Sequence, residues 1–97
     1  MKLSDVDGWP PTLIDSQTFK VTPSYNVPAR FKRCGIYSIA GSPVPYLSIV
    51  VEYQGHDLHA SLQDLPESLL RRIEATLRGH EGETLASLGD LEVVEVP

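Results

Sequence analysis

The sequence predicts an α+β domain: a mostly antiparallel sheet of about four to five strands with one amphipathic helix packed on one face. Apolar and polar residues alternate along residues 46–63 on both sides of a glycine, which is typical of a hairpin. A capped helical pattern follows over residues 66–78. Six of the eight prolines precede residue 46, so the first part of the chain cannot hold a long helix.

The N-terminal part is predicted to be a proline-rich extended arm over residues 1–29. Short strand pieces are expected within it at Thr12–Ile14 and Thr18–Thr22. Arg30–Ala40 is rich in strand-forming residues and predicts the first longer strand, in which Gly35 marks a bulge.

The hairpin is predicted to turn at Gly55-His56, because glycine in the first central position favours a type II′ turn. That turn places Val51 opposite Ala60 and Glu52 opposite His59. Each apolar residue of one strand then meets an apolar residue of the other.

The main helix is predicted from Asp64 as its capping acid, a proline in its first turn and Gly79 as its terminator. A short helix over Glu83–Leu88 and a last strand over Leu91–Val96, covered on both faces, complete the predicted fold. The helix should bury a stripe formed by Leu65, Leu69, Leu70, Ile73 and Leu77.

Length and charge limit the classes of protein. The 97 residues suit one domain over residues 1–97, with sheet, helix and final strand in residues 30–97. The net charge of -5 arises in residues 61–97, which disfavours nucleic acid and favours a basic protein surface as partner. Apolar runs are too short for a membrane span. The single cysteine and the absence of a signal-peptide pattern predict a reducing cytoplasm.

Residues that could carry chemistry are few. Cys34 follows three basic residues that could lower its pKa, but a lone strand cysteine is usually a small core residue. Glu52 and His59 could act as an acid–base pair, although a structural cross-strand pair is the simpler interpretation. No nucleophile elbow or phosphate-binding glycine loop occurs. We therefore expect no enzyme, no metal site and no cofactor; any activity would depend on His59 with Glu52, or on Cys34.

Apolar residues in unusual places predict contacts with a second subunit. Trp9 stands beside two prolines in the arm, and Val50 lies on the polar face of the hairpin. We expect a non-enzymatic cytoplasmic protein that acts through protein contacts, as a homodimer, and that suits an accessory or mobile bacterial gene. An acidic run is a further candidate interface, formed by Glu81, Glu83, Asp90, Glu92 and Glu95.

A small-molecule-binding domain is the alternative function. Its pocket would lie between the helix and the sheet, or at the dimer interface. Aromatic side chains would line it: Tyr37, Tyr46 and Tyr53.

Overall fold

The computed structural model describes residues 1–15, 20–23 and 28–95 of the chain. Helical and extended segments occur in the order of an α+β domain. They are a 3₁₀ helix at Leu3–Asp5, strands β1 (Thr12–Asp15), β2 (Lys20–Pro23), β3 (Arg30–Ser38), β4 (Pro45–Tyr53) and β5 (His56–Leu62), and helices α1 (Glu67–Leu77) and α2 (Leu85–Leu88).

The described strands form one antiparallel sheet in the order β2-β1-β5-β4-β3. Helix α1 packs on one face of this sheet, over β3 and β4. Leu70, Ile73 and Leu77 of the helix are fully buried against Ile49 and Val51 of β4 and their neighbours in the core. The predicted α+β class, with its antiparallel sheet and packed helix, is confirmed.

The hairpin of β4 and β5 forms, but its predicted turn and register are wrong. Gln54 and Gly55 both have positive φ, at 50° and 81°, so they are the central residues of a type I′ turn. The pairing is shifted by two residues, and Val51 faces Leu58 rather than Ala60. A two-residue shift keeps every side chain on its face, so the apolar pattern alone cannot distinguish the two registers.

Helix α1 lies within the predicted span, and Gly79 follows its last turn with a φ of +89°, as expected for a C′ glycine. Its predicted cap is not correct. Asp64 has a φ of 62°, Pro66 occupies the N-cap position, and no side chain caps the helix there.

The described residues of the N-terminal region do not form an extended arm. Leu3, Val6 and Leu13 are buried in the domain's own core, and β1 is an inner strand of the sheet. These apolar side chains gain more by burial in this core than an extended conformation would allow. The predicted piece Thr12–Ile14 is part of β1, whereas the other piece is described only from residue 20.

The predicted last strand is also absent from the described sheet. Residues 91–95 make a single bridge, between Glu92 and Lys2, and then run along α1. The hydroxyl of Thr76 accepts a hydrogen bond from the Val94 N–H at 3.0 Å, and Arg72 Nε donates to the Val94 carbonyl at 2.9 Å. These side chains satisfy backbone groups that a strand would have paired. Val96 lies outside the described residues.

Candidate interaction surface

One face of the sheet carries none of the helices that the structure describes. Strand side chains alternate between faces, so the face opposite α1 presents Ser48, Val50, His59, Ser61 and Ile14. Most of these side chains are polar or small. Ile14 is 45% exposed, whereas Val50 is only 6% exposed because residues of its own chain cover it. Val50 therefore needs no second subunit to bury it.

An open depression of about 510 Å³ lies on this helix-free face. Residues of the N-terminal region, such as Pro11 and Thr12, form one wall, and Tyr46, Ser48 and His59 line the floor. The described lining residues supply hydroxyls, an imidazole and apolar groups, and none of them carries a carboxylate or ammonium.

The predicted tyrosines are not brought together in one pocket. Tyr46 lines the depression. Tyr37 lies beside Tyr46, and the centroids of the two rings are 6.2 Å apart. Tyr53 packs against the core instead. The depression lies on the face opposite α1, which differs from the first of the two expected positions, the one between helix and sheet.

Large apolar side chains are exposed where β3 and the following loop meet β4. We call Tyr37, Ile39 and Val44 the apolar patch. Their exposures are 57%, 66% and 53%. Ile39 and Val44 also line a depression of about 200 Å³ together with Tyr46. Exposed apolar groups that are this close together mark surfaces that bind other molecules.

Strand β3 lies at one edge of the sheet, and its first residues are covered by the chain itself. The Phe31 N–H donates to the Glu83 carbonyl at 2.8 Å, and the Gly82 N–H donates to the Phe31 carbonyl at 2.7 Å. The Leu85 N–H donates to the Ala29 carbonyl. Past Phe31, no described segment pairs with the outer side of β3. We call residues 32–38 the free edge.

Natural edge strands are usually protected by charges, prolines or bulges. The free edge has a bulge at Lys32 and a second cation at Arg33, but it carries no charge from Cys34 to Ser38. Within the described part of the chain, its last part therefore presents unpaired backbone groups beside uncharged side chains, an arrangement that can accept another strand.

A small cleft of about 140 Å³ lies between the free edge and α1. Cys34 borders it together with Glu74 and Arg78, which form an exposed ion pair at 3.7 Å. Burial raises the pKa of the Cys34 thiol to about 11, and the nearby Glu74 carboxylate adds to the rise. The basic neighbours in sequence therefore do not make this thiol an activated nucleophile.

The predicted pairing of Glu52 with His59 does not occur. Glu52 faces Asp57 across the strands, and His59 faces Val50. The Glu52 carboxylate accepts a hydrogen bond from the Gly55 N–H at 2.7 Å and so supports the turn. Asp57 pairs with Lys32 at 3.0 Å, and this hydrogen bond holds the pKa of Asp57 below its usual value.

Most of the predicted interface residues have partners within the chain. Trp9 is half-buried and packs on the core, near Gly89. Two acids of the acidic run make ion pairs, Glu92 with the terminal amine and Glu95 with Arg72, and Glu83 is hydrogen-bonded to the His80 ring at 2.6 Å. Glu81 accepts a hydrogen bond from the Gly79 N–H, and Asp90 is exposed.

The apolar patch and the free edge were not predicted as interaction surfaces, although Tyr37 and Cys34 were named from the sequence as candidate residues. One signal for them is present in the sequence: residues 34–51 contain no charged residue, although 22% of the chain is charged. This signal does not show that β3 lies at an edge, because edge strands can be identified only from the order of strands in the sheet.

Comparison with models of known protein families, with curated proteins and with solved structures finds no significant match to this chain. Among the described residues, no group of three or more His, Cys, Asp or Glu side chains is placed to hold a metal ion. Within the same part of the chain, no helix has the length and apolar character needed to cross a membrane.

Proposed function

We propose that this protein is a non-enzymatic domain that acts through contacts with other proteins and forms a homodimer. The observation that carries the proposal is the apolar patch, whose three large side chains are each more than half exposed. A chain of this size buries a limited share of its surface on folding, so further burial at an interface adds stability that the isolated domain lacks.

The distribution of charge supports a second copy as the partner. Two chains with a net charge of -5 repel each other over most of their surfaces. The apolar patch lies in the uncharged stretch of residues 34–51. Contact there avoids placing like charges opposite each other, and it removes apolar groups from water.

Sedimentation equilibrium of the pure protein tests this function. We expect a reversible monomer–dimer equilibrium with a dissociation constant in the micromolar range, of the order of 1–100 µM for an interface of modest size. A protein that stays monomeric at concentrations up to about 1 mM would contradict homodimer formation.

We place the protein in the cytoplasm. The proposal is supported by its single cysteine, which is free and half-buried and has a raised pKa, so it is poorly suited to disulfide exchange. Fractionation of cells that express the protein at natural levels tests the location.

A second candidate function is the binding of an uncharged small molecule in the open depression. Its volume of about 510 Å³ lies within the range of ligand sites, and its lining offers hydroxyls, an imidazole and the Tyr46 ring. The lack of charged side chains among the described lining residues favours a neutral ligand.

Thermal-shift measurements with a panel of neutral monosaccharides and nucleosides test this alternative. A ligand that raises the Tm of the wild type should lose its effect in His59→Ala, because His59 lines the depression. It should keep its effect in His56→Ala, because His56 is exposed at the hairpin turn. Equal losses in both variants, or no shift with any compound, would contradict binding at this place.

A further inference from the structure

We propose that the two copies join through the free edge of β3, antiparallel to each other, about a twofold axis that passes beside Gly35. This inference rests on the proposed homodimer and specifies the surface and the register. It predicts a continuous sheet of two domains with both α1 helices on the same face.

The backbone of the free edge provides the attraction. Segment 82–85 already pairs with the start of β3, and this pairing ends at Phe31. Residues 32–38 beyond it have no strand neighbour on the outer side among the described residues. A second strand can satisfy those outward N–H and C=O groups in the same way that segment 82–85 satisfies those of Phe31.

The register follows from two restrictions. Residues directly opposite each other in a sheet have their side chains on the same face, so the twofold axis must pass beside a residue and not between two residues. The length over which the two β3 strands can pair is limited at one end by segment 82–85 of each copy. At the other end it is limited by Ser38, where β3 ends. Gly35 is the midpoint of residues 32–38, so an axis there pairs the whole free edge.

This register matches side chains on both faces of the sheet. On the α1 side, half-buried Cys34 lies opposite the partner's Ile36, and both already pack against the core. On the other side, Arg33 lies opposite the partner's Tyr37, where a guanidinium can stack on an aromatic ring. No charged residue faces a like charge.

Charges on α1 also fit a second copy. Glu74 and Arg78 border the cleft beside Cys34, close to the proposed axis, and Arg78 is largely exposed. The twofold axis makes the two helices antiparallel and brings the two clefts, each bordered by Glu74, Glu81 and Arg78, to the same side of the sheet. Each copy therefore offers a cation as well as carboxylates near the contact.

Gly35 itself suits a position at the axis. A Cβ atom at this position would come within 2.9 Å of the Tyr37 ring, which therefore lies over the glycine. The absence of a side chain lets the ring cover the backbone and lets two strands approach there.

Sedimentation equilibrium of three variants tests the edge. Tyr37→Lys places a cation opposite the partner's Arg33, and it should raise the dimer dissociation constant by about tenfold or more. Tyr37→Lys combined with Arg33→Glu should restore dimerisation, because the new charges attract. Ile14→Lys is the matched control: Ile14 is also an exposed strand residue, but it lies in β1, away from the free edge. It should leave the constant unchanged.

The outcomes separate the inference from the proposed function. If the wild type dimerises and Ile14→Lys weakens the dimer while Tyr37→Lys does not, the copies join through the helix-free face and the edge pairing is wrong. A monomeric wild type overturns the homodimer itself. Circular dichroism establishes that each variant is folded.

Cross-linking of the wild type provides a measurement that needs no variant. In the proposed register the two Cys34 residues are diagonal neighbours, about 7–8 Å apart between their α carbons. A bis-maleimide with a spacer of similar length should join them at pH 8.5 and yield a covalent dimer, although slowly because the pKa of the Cys34 thiol is raised. Modification of Cys34 without any covalent dimer would overturn the register.

Discussion

The burial and the pKa of single residues in this protein depend on contacts that the neighbouring sequence does not reveal. Cys34 stands after three basic residues, yet burial and Glu74 dominate its environment and raise its pKa to about 11. Thr76 is a polar residue in a helix, and it is buried because its hydroxyl donates to the Arg72 carbonyl and accepts from the Val94 N–H. The carboxylate near Cys34 lies on α1, and one of the two partners of Thr76, Val94, lies in the C-terminal segment, so part of each environment comes from elsewhere in the fold.

The raised pKa of Cys34 predicts a slow thiol. At pH 9 the folded thiol should be about one per cent ionised, whereas a thiol with the ordinary value of 9.0 is half ionised. Iodoacetamide should therefore modify the native protein far more slowly than the urea-unfolded chain, as followed by mass spectrometry. Equal rates would contradict the burial of the thiol.

The same shift predicts how stability depends on alkaline pH. Between pH 9 and pH 11 the unfolded chain loses the thiol proton while the native state keeps it. The free energy of unfolding should be unaffected by this group below pH 9 and should fall as the pH rises toward 11. Urea titrations of the wild type and Cys34→Ala measure the difference, and parallel pH profiles for the two proteins would show that the thiol is not shifted.

Thr76 provides a second test at this scale. Replacing it with valine keeps the shape but leaves the Val94 N–H without its acceptor, so we expect a loss of about 1–2 kcal/mol in the free energy of unfolding. Ser87→Ala is the control, because the Ser87 hydroxyl is exposed and bonds only within its own turn. If Thr76→Val is no less stable than Ser87→Ala, Thr76 does not hold the C-terminal segment.

At the scale of elements, hydrophobic periodicity and the positions of glycine and proline predict which strands and helices form. They predict the pairing register of the strands less well. The alternation around Ile49 identifies β4 and β5, and the spacing of Leu70, Ile73 and Leu77 identifies α1. These patterns identify the elements correctly because each element buries one continuous apolar side. The turn at Gln54-Gly55 was missed, because a shift by two residues preserves the match of faces, and only backbone geometry separates the alternatives.

The type I′ turn predicts opposite effects for two substitutions. Gln54→Asn should stabilise the protein by about 0.5 kcal/mol, because asparagine tolerates positive φ better than glutamine. Gly55→Ala should destabilise it by about 1 kcal/mol, because a Cβ atom is disfavoured at a φ of 81°. Thermal unfolding monitored by circular dichroism measures both, and stabilisation by Gly55→Ala would contradict the turn type.

At the scale of the whole molecule, the ends of the chain complete the domain. The Leu3 N–H donates a hydrogen bond to the Leu91 carbonyl, and the Val93 N–H donates one to the Met1 carbonyl. The two terminal regions therefore lie together beside α1. Contacts between residues so far apart in sequence leave no local pattern, which is why an arm and a last strand were predicted there. The same limit applies to the candidate site: residues 34–51 can be recognised as uncharged, but the exposure of β3 depends on the strand order β2-β1-β5-β4-β3.

The pairing of the free edge with a second copy is tested most directly by amide hydrogen exchange at several protein concentrations. We predict that exchange slows within residues 32–38 as the concentration rises through the dimer dissociation constant, because new hydrogen bonds form there. Amides of β5, which is flanked by strands on both sides, should keep their rates. Concentration-independent exchange along residues 32–38 in a protein that dimerises would contradict the edge pairing.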